Sequence, residues 1–264
     1  MKIIVPTDLT RAANQAVRQA VVIARKAGFS LTLFHVQEAG PGSETIEKLK
    51  EEASLISKVE GVPCDVIVKT GNVLEQIVVM VCEKEYDLVV IGTHGSAGIR
   101  QKLFGADILK LVAKIPVPVM VVSEESPLIE EFNRIVLPVG SHDNFNQGVD
   151  AVLLLAGIFD VEVHLYSIQK PGFEWPARML ANIDETTRRF TEKGVKLVRK
   201  KEDQDDFSQG FARQTIRYAR LIGADVLWMM SVASEDYYYM SKTYKESILF
   251  NEDHLPVLCA GGGE

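Results

Sequence analysis

A group of glycines in the first half of the chain has the spacing of a phosphate-binding loop. The run Gly92-Thr93-His94-Gly95 is followed, after nine further residues, by Gly105. Glycines let the backbone approach a ligand closely because they carry no side chain. A glycine at the start of a helix also brings free N–H groups and the positive end of the helix dipole to one place. This combination suits a phosphate group.

Two apolar segments flank these glycines and must position them. The run Asp87–Ile91 before them reads as a buried parallel strand, and the helical spacing of Ile108, Val112 and Ile115 after them indicates a helix. Two other predicted strands end in Pro6-Thr7-Asp8 and in Phe34-His35-Val36. Ligands of parallel sheets bind outside the carboxyl ends of the strands. We therefore expect these segments to surround one ligand.

The chain contains this arrangement twice. Asp87 lies 138 positions before Asp225, and Pro118 lies 138 positions before Pro256. Near the amino ends of the two copies the offset is 132, which aligns Ile3–Pro6 with Ile135–Pro138. A repeat of this length indicates two whole domains. We place them at residues 1–122 and 133–260, with a linker at 123–132.

Each copy alternates strands with helices, which predicts an α/β fold made of two tandem open parallel five-stranded sheets with helices on both faces. In the first copy the predicted strands are Ile3–Pro6, Leu31–Val36, a part of Gly61–Val68, Leu88–Ile91 and Val117–Val122. The predicted helices are Ala12–Ala27, Glu44–Val59, Leu74–Lys84 and Gly105–Ala113. The charged run Lys200–Asp206 is expected to be a solvated loop that holds most of the extra residues of the second copy.

Composition excludes several classes of protein. A formal net charge of −7 and a pI near 5.4 argue against a nucleic-acid surface. The three cysteines, Cys64, Cys82 and Cys259, have neither zinc-ligand nor disulfide-framework spacing. No apolar run approaches the roughly 18–20 residues that span a bilayer. We therefore expect a cytoplasmic protein with no nucleic-acid or membrane partner and no metal of its own.

These motifs together resemble the universal stress protein family. The resemblance rests on the strand followed by Pro6-Thr7-Asp8, on His35-Val36 after the second strand, and on the spaced glycines before the last helix. It covers residues 1–122, and residues 133–260 resemble a degenerate second domain. The family has a Rossmann-like fold, and some members bind ATP or other adenine nucleotides. Its domains commonly pair through their last strands, which implies an intramolecular pseudo-dimer here. A homodimer and an unidentified protein partner remain open.

The resemblance implies a role for each motif residue of the first domain. Asp8, with Pro6 and Thr7, would approach the ribose or the base, and the backbone of Val36 would contact the adenine edge. Gly92 and Gly95 would pass close to the ribose and phosphates. His94 between them would touch a phosphate or act as an acid or base, or merely occupy a variable position. Gly105 and the N–H of Ala106 would hold the phosphates, and Mg²⁺ would accompany the nucleotide.

One position departs from the family motif. The family places Ser or Thr directly after the last glycine, whereas this chain has Ala106 followed by Asp107. The missing hydroxyl removes a hydrogen bond to a charged phosphate, worth about 1.5–3 kcal/mol. Asp107 would also repel a triphosphate, although Arg100 and Lys102 in the loop offset that charge. We expect ATP as the ligand, with AMP or ADP as close alternatives.

The second copy has lost the motif. The repeat aligns Gly92 with Met230, Gly95 with Ala233, and Gly105 with Thr243; it also aligns Asp8 with Gly140. We therefore expect adenine nucleotides to bind the first domain only. A different small ligand or a partner contact in the second domain stays open.

Three functions remain open at this point. The first is a regulatory stress-response module that binds an adenine nucleotide, and the second is a nucleotide-free dimerisation or interaction scaffold. The third is an enzyme acting on an adenylylated substrate or a slow ATPase. We identify no catalytic residue and expect no dedicated enzyme, because no nucleophile accompanies His142 and Asp143. Phe173 and Trp175 would either bind a partner or fold onto their own domain.

Overall fold

The computed structural model describes residues 1–37, 43–83, 85–93, 105–172, 174–203, 210–230 and 242–260. The chain divides into two compact units, Met1–Glu130 and Glu131–Gly261. Each unit contains strands that alternate with helices. The predicted α/β fold with parallel sheets is confirmed in both.

The described part of the first domain holds five strands and four α-helices. A single π-helical turn, Ile56–Glu60, ends the segment that we predicted as one continuous second helix. In chain order the elements are β1 (Lys2–Pro6), α1 (Arg11–Ala27), β2 (Ser30–Gln37), α2 (Ser43–Leu55), β3 (Cys64–Thr70), α3 (Val73–Glu83), β4 (Leu88–Thr93), α4 (Gly105–Lys114) and β5 (Val119–Ser123).

The five strands form a parallel sheet in the order β3-β2-β1-β4-β5. The strand order reverses at β1, since the chain runs outward to β2 and β3 and then returns to β4 on the other side of β1. Ile4 of β1 pairs with Thr32 of β2 and with Val89 of β4. The carboxyl ends of these three central strands therefore meet where the topology places a ligand crevice.

Local sequence explains where α1 begins and ends. Thr10 is the N-cap, and its hydroxyl accepts a hydrogen bond from the amide of Ala13 at 3.3 Å. Gly28 ends the helix in the left-handed conformation at φ 69°, which glycine adopts without steric cost. The apolar face of α1 is buried in the domain core.

Gly92 of β4 lies against the beginning of α1. A Cβ atom added at Gly92 would lie 2.7 Å from the amide nitrogen of Ala13 and still closer to the carbonyl of Ala12. Both neighbours are backbone atoms, so they cannot move aside as a flexible side chain would. The packing of helix on strand therefore requires glycine at position 92.

The second domain repeats the topology of the first. Its described elements are β6 (Arg134–Pro138), α5 (Phe145–Ile158), β7 (Glu162–Gln169), α6 (Ala177–Glu192), β8 (Lys196–Asp203), α7 (Gly210–Ile222), β9 (Val226–Met230), α8 (Lys242–Leu249) and β10 (Val257–Ala260). The sheet order is β10-β9-β6-β7-β8, and the described strand pairs are parallel. Strands β6, β7 and β9 align with β1, β2 and β4 of the first domain at the offsets found in the sequence.

The charged run of the second domain was predicted wrongly in part. Its first four residues, Lys200 to Asp203, belong to β8 rather than to a loop, and residues 204–206 lie outside the described part of the chain. Residues Lys200 to Asp203 pair with β7, where Tyr166 lies opposite Lys200. Because β8 lies at the end of the strand order, many of its charged side chains reach solvent. Edge strands commonly carry such charges.

The predicted linker at 123–132 is held by hydrogen bonds from α1. The side-chain amide of Gln15 donates to the carbonyl of Ser126 at 2.6 Å. The Gln19 side chain both donates to the carbonyl of Ile129 and accepts from its amide, each at 2.9 Å. Phe132 packs edge-on against Phe159 of the second domain at a centroid distance of 4.9 Å. Most of this segment is thus fixed to a domain.

The helices and the metal-ligating side chains of the described residues bear on membrane insertion and on metal binding. None of the helices there combines the length and the apolar character needed to cross a bilayer. Within the same ranges, the His, Cys, Asp and Glu side chains form no group of three or more that could hold a metal ion.

A large side chain in the second domain takes the place of a small one in the first. The repeat aligns Val90 with Trp228, and it aligns Ala16 with Gly148. The Trp228 indole N–H donates to the carbonyl of Gly148 at 3.0 Å, and its ring lies where a Cβ at position 148 would project. The smaller residue in α5 therefore compensates for the larger one in β9.

This compensation predicts opposite effects for the same substitution at two glycines of α5. Gly148→Ala should lower the free energy of unfolding by about 1–3 kcal/mol because the new methyl overlaps the indole. Gly157→Ala, where a Cβ meets open space, should raise it by about 0.5–1 kcal/mol through the better helix propensity of alanine. Chemical denaturation measures both changes. Equal effects at the two positions would contradict the packing account.

Candidate functional site

A cavity of about 260 Å³ opens at the carboxyl ends of β1, β2 and β4 in the first domain. Side chains of Val73 and Ile77 from α3 contribute an apolar wall. Five of the predicted site residues line this one cavity: Pro6, Thr7, Asp8, Val36 and Gly92. The structure thus brings together strand ends that are far apart in the sequence.

Hydrogen bonds fix the end of β1 against the end of β2. The amide of Thr7 donates to the carbonyl of Phe34 at 2.8 Å. The Nδ1 atom of His35 donates to the carbonyl of Thr7, also at 2.8 Å. His35 therefore ties the end of β2 to the end of β1. Its ring occupies the Thr7 carbonyl, which would otherwise accept the next hydrogen bond of the β1–β2 ladder.

The backbone of Val36 points into the space beyond the end of β1. Along β2 the carbonyl of Phe34 points to β1, and the carbonyl of Gln37 points to β3, where it accepts from Gly71. Because successive residues of a strand point in opposite directions, Val36 points to the same side as Phe34. Strand β1 ends opposite Phe34. One N–H donor and one C=O acceptor of Val36 therefore face the cavity.

Asp8 lies at the mouth of the cavity and also organises the start of α1. Its Oδ1 accepts from the hydroxyl of Thr10 at 2.6 Å and from the Thr10 amide at 3.1 Å. Leu9 between them has φ 62°, a left-handed conformation that is unfavourable for leucine. The carboxylate is exposed, with its second oxygen available to a ligand hydroxyl. Sequence reasoning named Asp8 but missed its link to the N-cap residue Thr10.

The predicted phosphate cradle is described only in part. Gly105 begins α4, so the backbone of Gly105 and Ala106 lies at the amino end of that helix. His94 and Gly95 fall outside the described residues, as do Arg100 and Lys102. Asp107 pairs with Lys110 at 3.3 Å, one turn further along α4. This partner of Asp107 was missed, although a spacing of three residues on a helix indicates such pairs.

Gly92 lines the cavity, but its lack of a side chain is already required by the packing of α1. We predicted the glycine from a need for backbone to approach a ligand. The structure supplies an independent reason, because a Cβ would collide with the backbone of Ala12 and Ala13. A nucleotide contact at Gly92 stays a prediction.

The corresponding edge of the second domain has different chemistry. Gly140 replaces the aspartate, as the sequence predicted, and Ser141 and His142 follow it as buried residues. Asp143, which follows His142, is exposed and forms an ion pair with Arg178 at 2.9 Å. Burial, together with the charge of Lys245, lowers the pKa of His142 to about 4.

Trp175 folds onto its own domain, one of the two alternatives left open by the sequence. Its indole N–H donates to the carbonyl of Ile168 at 3.4 Å, and the ammonium of Lys201 lies 4.9 Å from the ring centroid. Phe173, which we considered beside it, lies outside the described residues.

Comparisons with known proteins agree with this architecture. Residues 1–123 match the model of the universal stress protein family. A universal stress protein of Methanocaldococcus jannaschii is 28% identical over 149 residues, which cover 47% of this chain and 82% of that protein. The match to the family model covers about half of the chain, and so does the alignment with this relative.

Two crystal structures resemble the whole chain in fold. A universal stress protein from Archaeoglobus fulgidus superposes with a TM-score of 0.72 at 15% identity, covering 100% of this chain and 97% of its own. A protein of unknown function from Pseudomonas aeruginosa PAO1 gives a TM-score of 0.65 at 16% identity, covering 99% of this chain and 92% of its own. At such identities the likeness shows the fold alone.

The family match over residues 1–123 confirms the resemblance that the motifs of the first domain indicated. Residues 1–123 match the universal stress protein family, and the described part of the second domain repeats the same topology.

Proposed function

We propose that the first domain binds an adenine nucleotide and that the protein acts as a stress-response regulatory module through the occupancy of this site. The observation that carries the proposal is the orientation of Val36, whose backbone donor and acceptor face a cavity at the carboxyl edge of the sheet. The Watson–Crick edge of adenine offers a matching acceptor at N1 and a donor at the 6-amino group. Backbone groups held by a sheet discriminate bases without any side chain.

The other groups around the cavity suit the remaining parts of a nucleotide. Val73 and Ile77 offer apolar surface to the faces of a base. The exposed carboxylate of Asp8 accepts hydrogen bonds from ribose hydroxyls, and charged acceptors make such bonds stronger. The amino end of α4 at Gly105 favours phosphate oxygens through its free N–H groups and its dipole.

The pairing of Asp107 bears on which nucleotide is preferred. Lys110 neutralises part of the carboxylate charge, and Asp107 is already partly shielded from solvent. A residual repulsion grows with the number of phosphate charges near α4. Because Lys110 offsets part of the Asp107 charge, ATP remains the expected ligand, with Mg²⁺ bound to its phosphates. AMP and ADP carry fewer charges and tolerate Asp107 better.

The proposal carries expectations about activity and assembly. We expect no rapid hydrolysis, because the two possible bases among the described lining residues are engaged: Asp8 accepts from Thr10, and His35 donates to the carbonyl of Thr7. The repeat of the domain within one chain favours an intramolecular pseudo-dimer over dependence on a second chain.

A nucleotide-free scaffold is the competing function. The second domain lacks the aspartate and the first glycine of the motif, which favours the scaffold function for that domain.

A first test removes only the hydrogen-bond donor of Val36. Val36→Pro should weaken binding of both AMP and ATP roughly three- to tenfold, since one neutral hydrogen bond is worth about 0.5–1.5 kcal/mol. The melting temperature should change little, because this N–H faces the cavity and not β3. Isothermal titration calorimetry on the full chain measures the affinities.

The neighbouring residue provides the control for this substitution. Gln37→Pro removes an N–H that points to β3, so it should lower the melting temperature by breaking the ladder between β2 and β3. If Val36→Pro bound nucleotide as tightly as the unchanged protein, the assignment of the adenine edge would be wrong.

A second test applies the same isosteric change to two carboxylates of the first domain. Asp8→Asn should weaken AMP and ATP binding by about ten- to a hundredfold, the worth of a hydrogen bond to a charged group. Asp107→Asn should strengthen ATP binding about two- to fivefold and AMP binding less, because it removes a partly exposed charge near the phosphates.

Calorimetry with both nucleotides separates these effects, and release of nucleotide from denatured purified protein shows whether one copurifies. Equal responses of the two variants would refute the placement of ribose and phosphates. If the unchanged protein gives no heat at millimolar nucleotide and releases no nucleotide on denaturation, the scaffold is the function of both domains.

A further inference from the structure

The second domain buries polar groups at the edge where its nucleotide motif is missing. Ser141 is 5% exposed and His142 is 3% exposed, directly after β6. In the described part of the chain, Ser141 Oγ and His142 Nε2 are buried atoms without a hydrogen-bond partner. Such atoms cost free energy unless something satisfies them, so they indicate a ligand or water in native proteins.

The position of these groups is fixed by the surrounding helices. The side-chain amide of Asn182, in α6, donates to the carbonyl of Gly140 at 2.8 Å and to that of His142 at 3.0 Å. The amide of Phe145, at the start of α5, also donates to the carbonyl of His142, at 3.3 Å. The segment 140–142 is therefore held in place from both α5 and α6. The fold thus fixes the positions from which the Ser141 and His142 side chains project.

A buried cation lies close to His142. Lys245 is 6% exposed and lies in the first turn of α8, where the helix dipole favours negative charge. Burial lowers the pKa of Lys245 to about 8, and its positive charge contributes to the lowered pKa of His142. The repeat aligns Lys245 with Asp107 of the first domain, so the charge at this helix end is reversed.

We propose that Ser141, His142 and Lys245 form a binding site for a small oxyanion, a carboxylate or phosphate group, at the carboxyl edge of the second domain. The Lys245 ammonium and the amino end of α8 supply positive charge, while the Ser141 hydroxyl and the His142 ring supply hydrogen bonds. An adenine nucleotide does not fit this chemistry, because the repeat places Gly140 and Met230 where the first domain has Asp8 and Gly92. The two domains then bind different ligands.

The test uses the full chain, in a buffer free of oxyanions, with inorganic phosphate and acetate as separate probes. At least one probe should bind saturably at one site and raise the melting temperature, since a ligand of the native state stabilises it. The bound anion should raise the pKa of His142, followed by NMR of its ring, by about one unit or more, because a nearby negative charge favours imidazolium.

Substitutions assign the site and separate it from the nucleotide site. Lys245→Met should weaken anion binding at least tenfold while preserving the fold, since methionine fills a similar volume without the cost of a buried charge. Lys193→Met removes an exposed lysine of the same domain and should leave binding unchanged. Asp8→Asn, which acts on the first domain, should also leave it unchanged.

Each outcome decides the proposal. Binding of phosphate alone identifies a phosphoryl ligand, binding of acetate alone identifies a carboxylate, and binding of both supports a general oxyanion site. The proposal fails if neither anion alters the titration of His142, in which case the buried polar groups are structural. It also fails if Lys245→Met binds as well as the unchanged protein.

Discussion

The contact of Gly92 with the start of α1 is the constraint on which the first domain's ligand edge depends. It brings the backbone of a central strand against the backbone of Ala12 and Ala13, which only glycine permits. The helix start fixed there carries Thr10, and Thr10 in turn holds the carboxylate of Asp8 at the mouth of the cavity. The absence of a side chain at Gly92 therefore sets both the packing of α1 on the sheet and the placement of Asp8 at the cavity. Glycine at this position serves the fold before it serves any nucleotide.

The second domain shows what the same topology becomes without that constraint. Met230 stands where Gly92 would be, and α5 begins at Phe145, two positions later than the repeat would place it. Trp228 fills the region between sheet and helix, and Gly148 makes room for it. At the carboxyl edge of the sheet, Gly140 stands where the first domain has the exposed Asp8. In the first turn of α8, the buried Lys245 stands where α4 has Asp107. The fold has been kept, while the charge in the first turn of its last helix has been reversed from Asp107 to Lys245.

Much of this architecture could be predicted from the sequence, because apolar runs and helical periodicity report burial directly. The strands of the first domain and the offsets of 132 and 138 residues located both sheets, and the motif residues located the cavity edge. Features that depend on tertiary contacts could not be predicted. The run Lys200–Asp203 looks like a loop by charge, yet pairing with β7 makes it a strand. The demand for glycine at position 92 comes from a helix 80 residues earlier in the chain, and the burial of Lys245 depends on packing that no local pattern encodes.

The central claim is that the backbone of Val36 contacts the adenine edge of a nucleotide in the first domain. Titration of AMP into ¹⁵N-labelled protein, with the amide of Val36 observed by NMR, tests this contact directly. Our account predicts a saturable downfield shift of the Val36 amide proton, larger than that of Gln37, whose N–H points to β3. An amide of Val36 that does not respond while AMP binds elsewhere, or that shows no saturation at millimolar AMP, would contradict it.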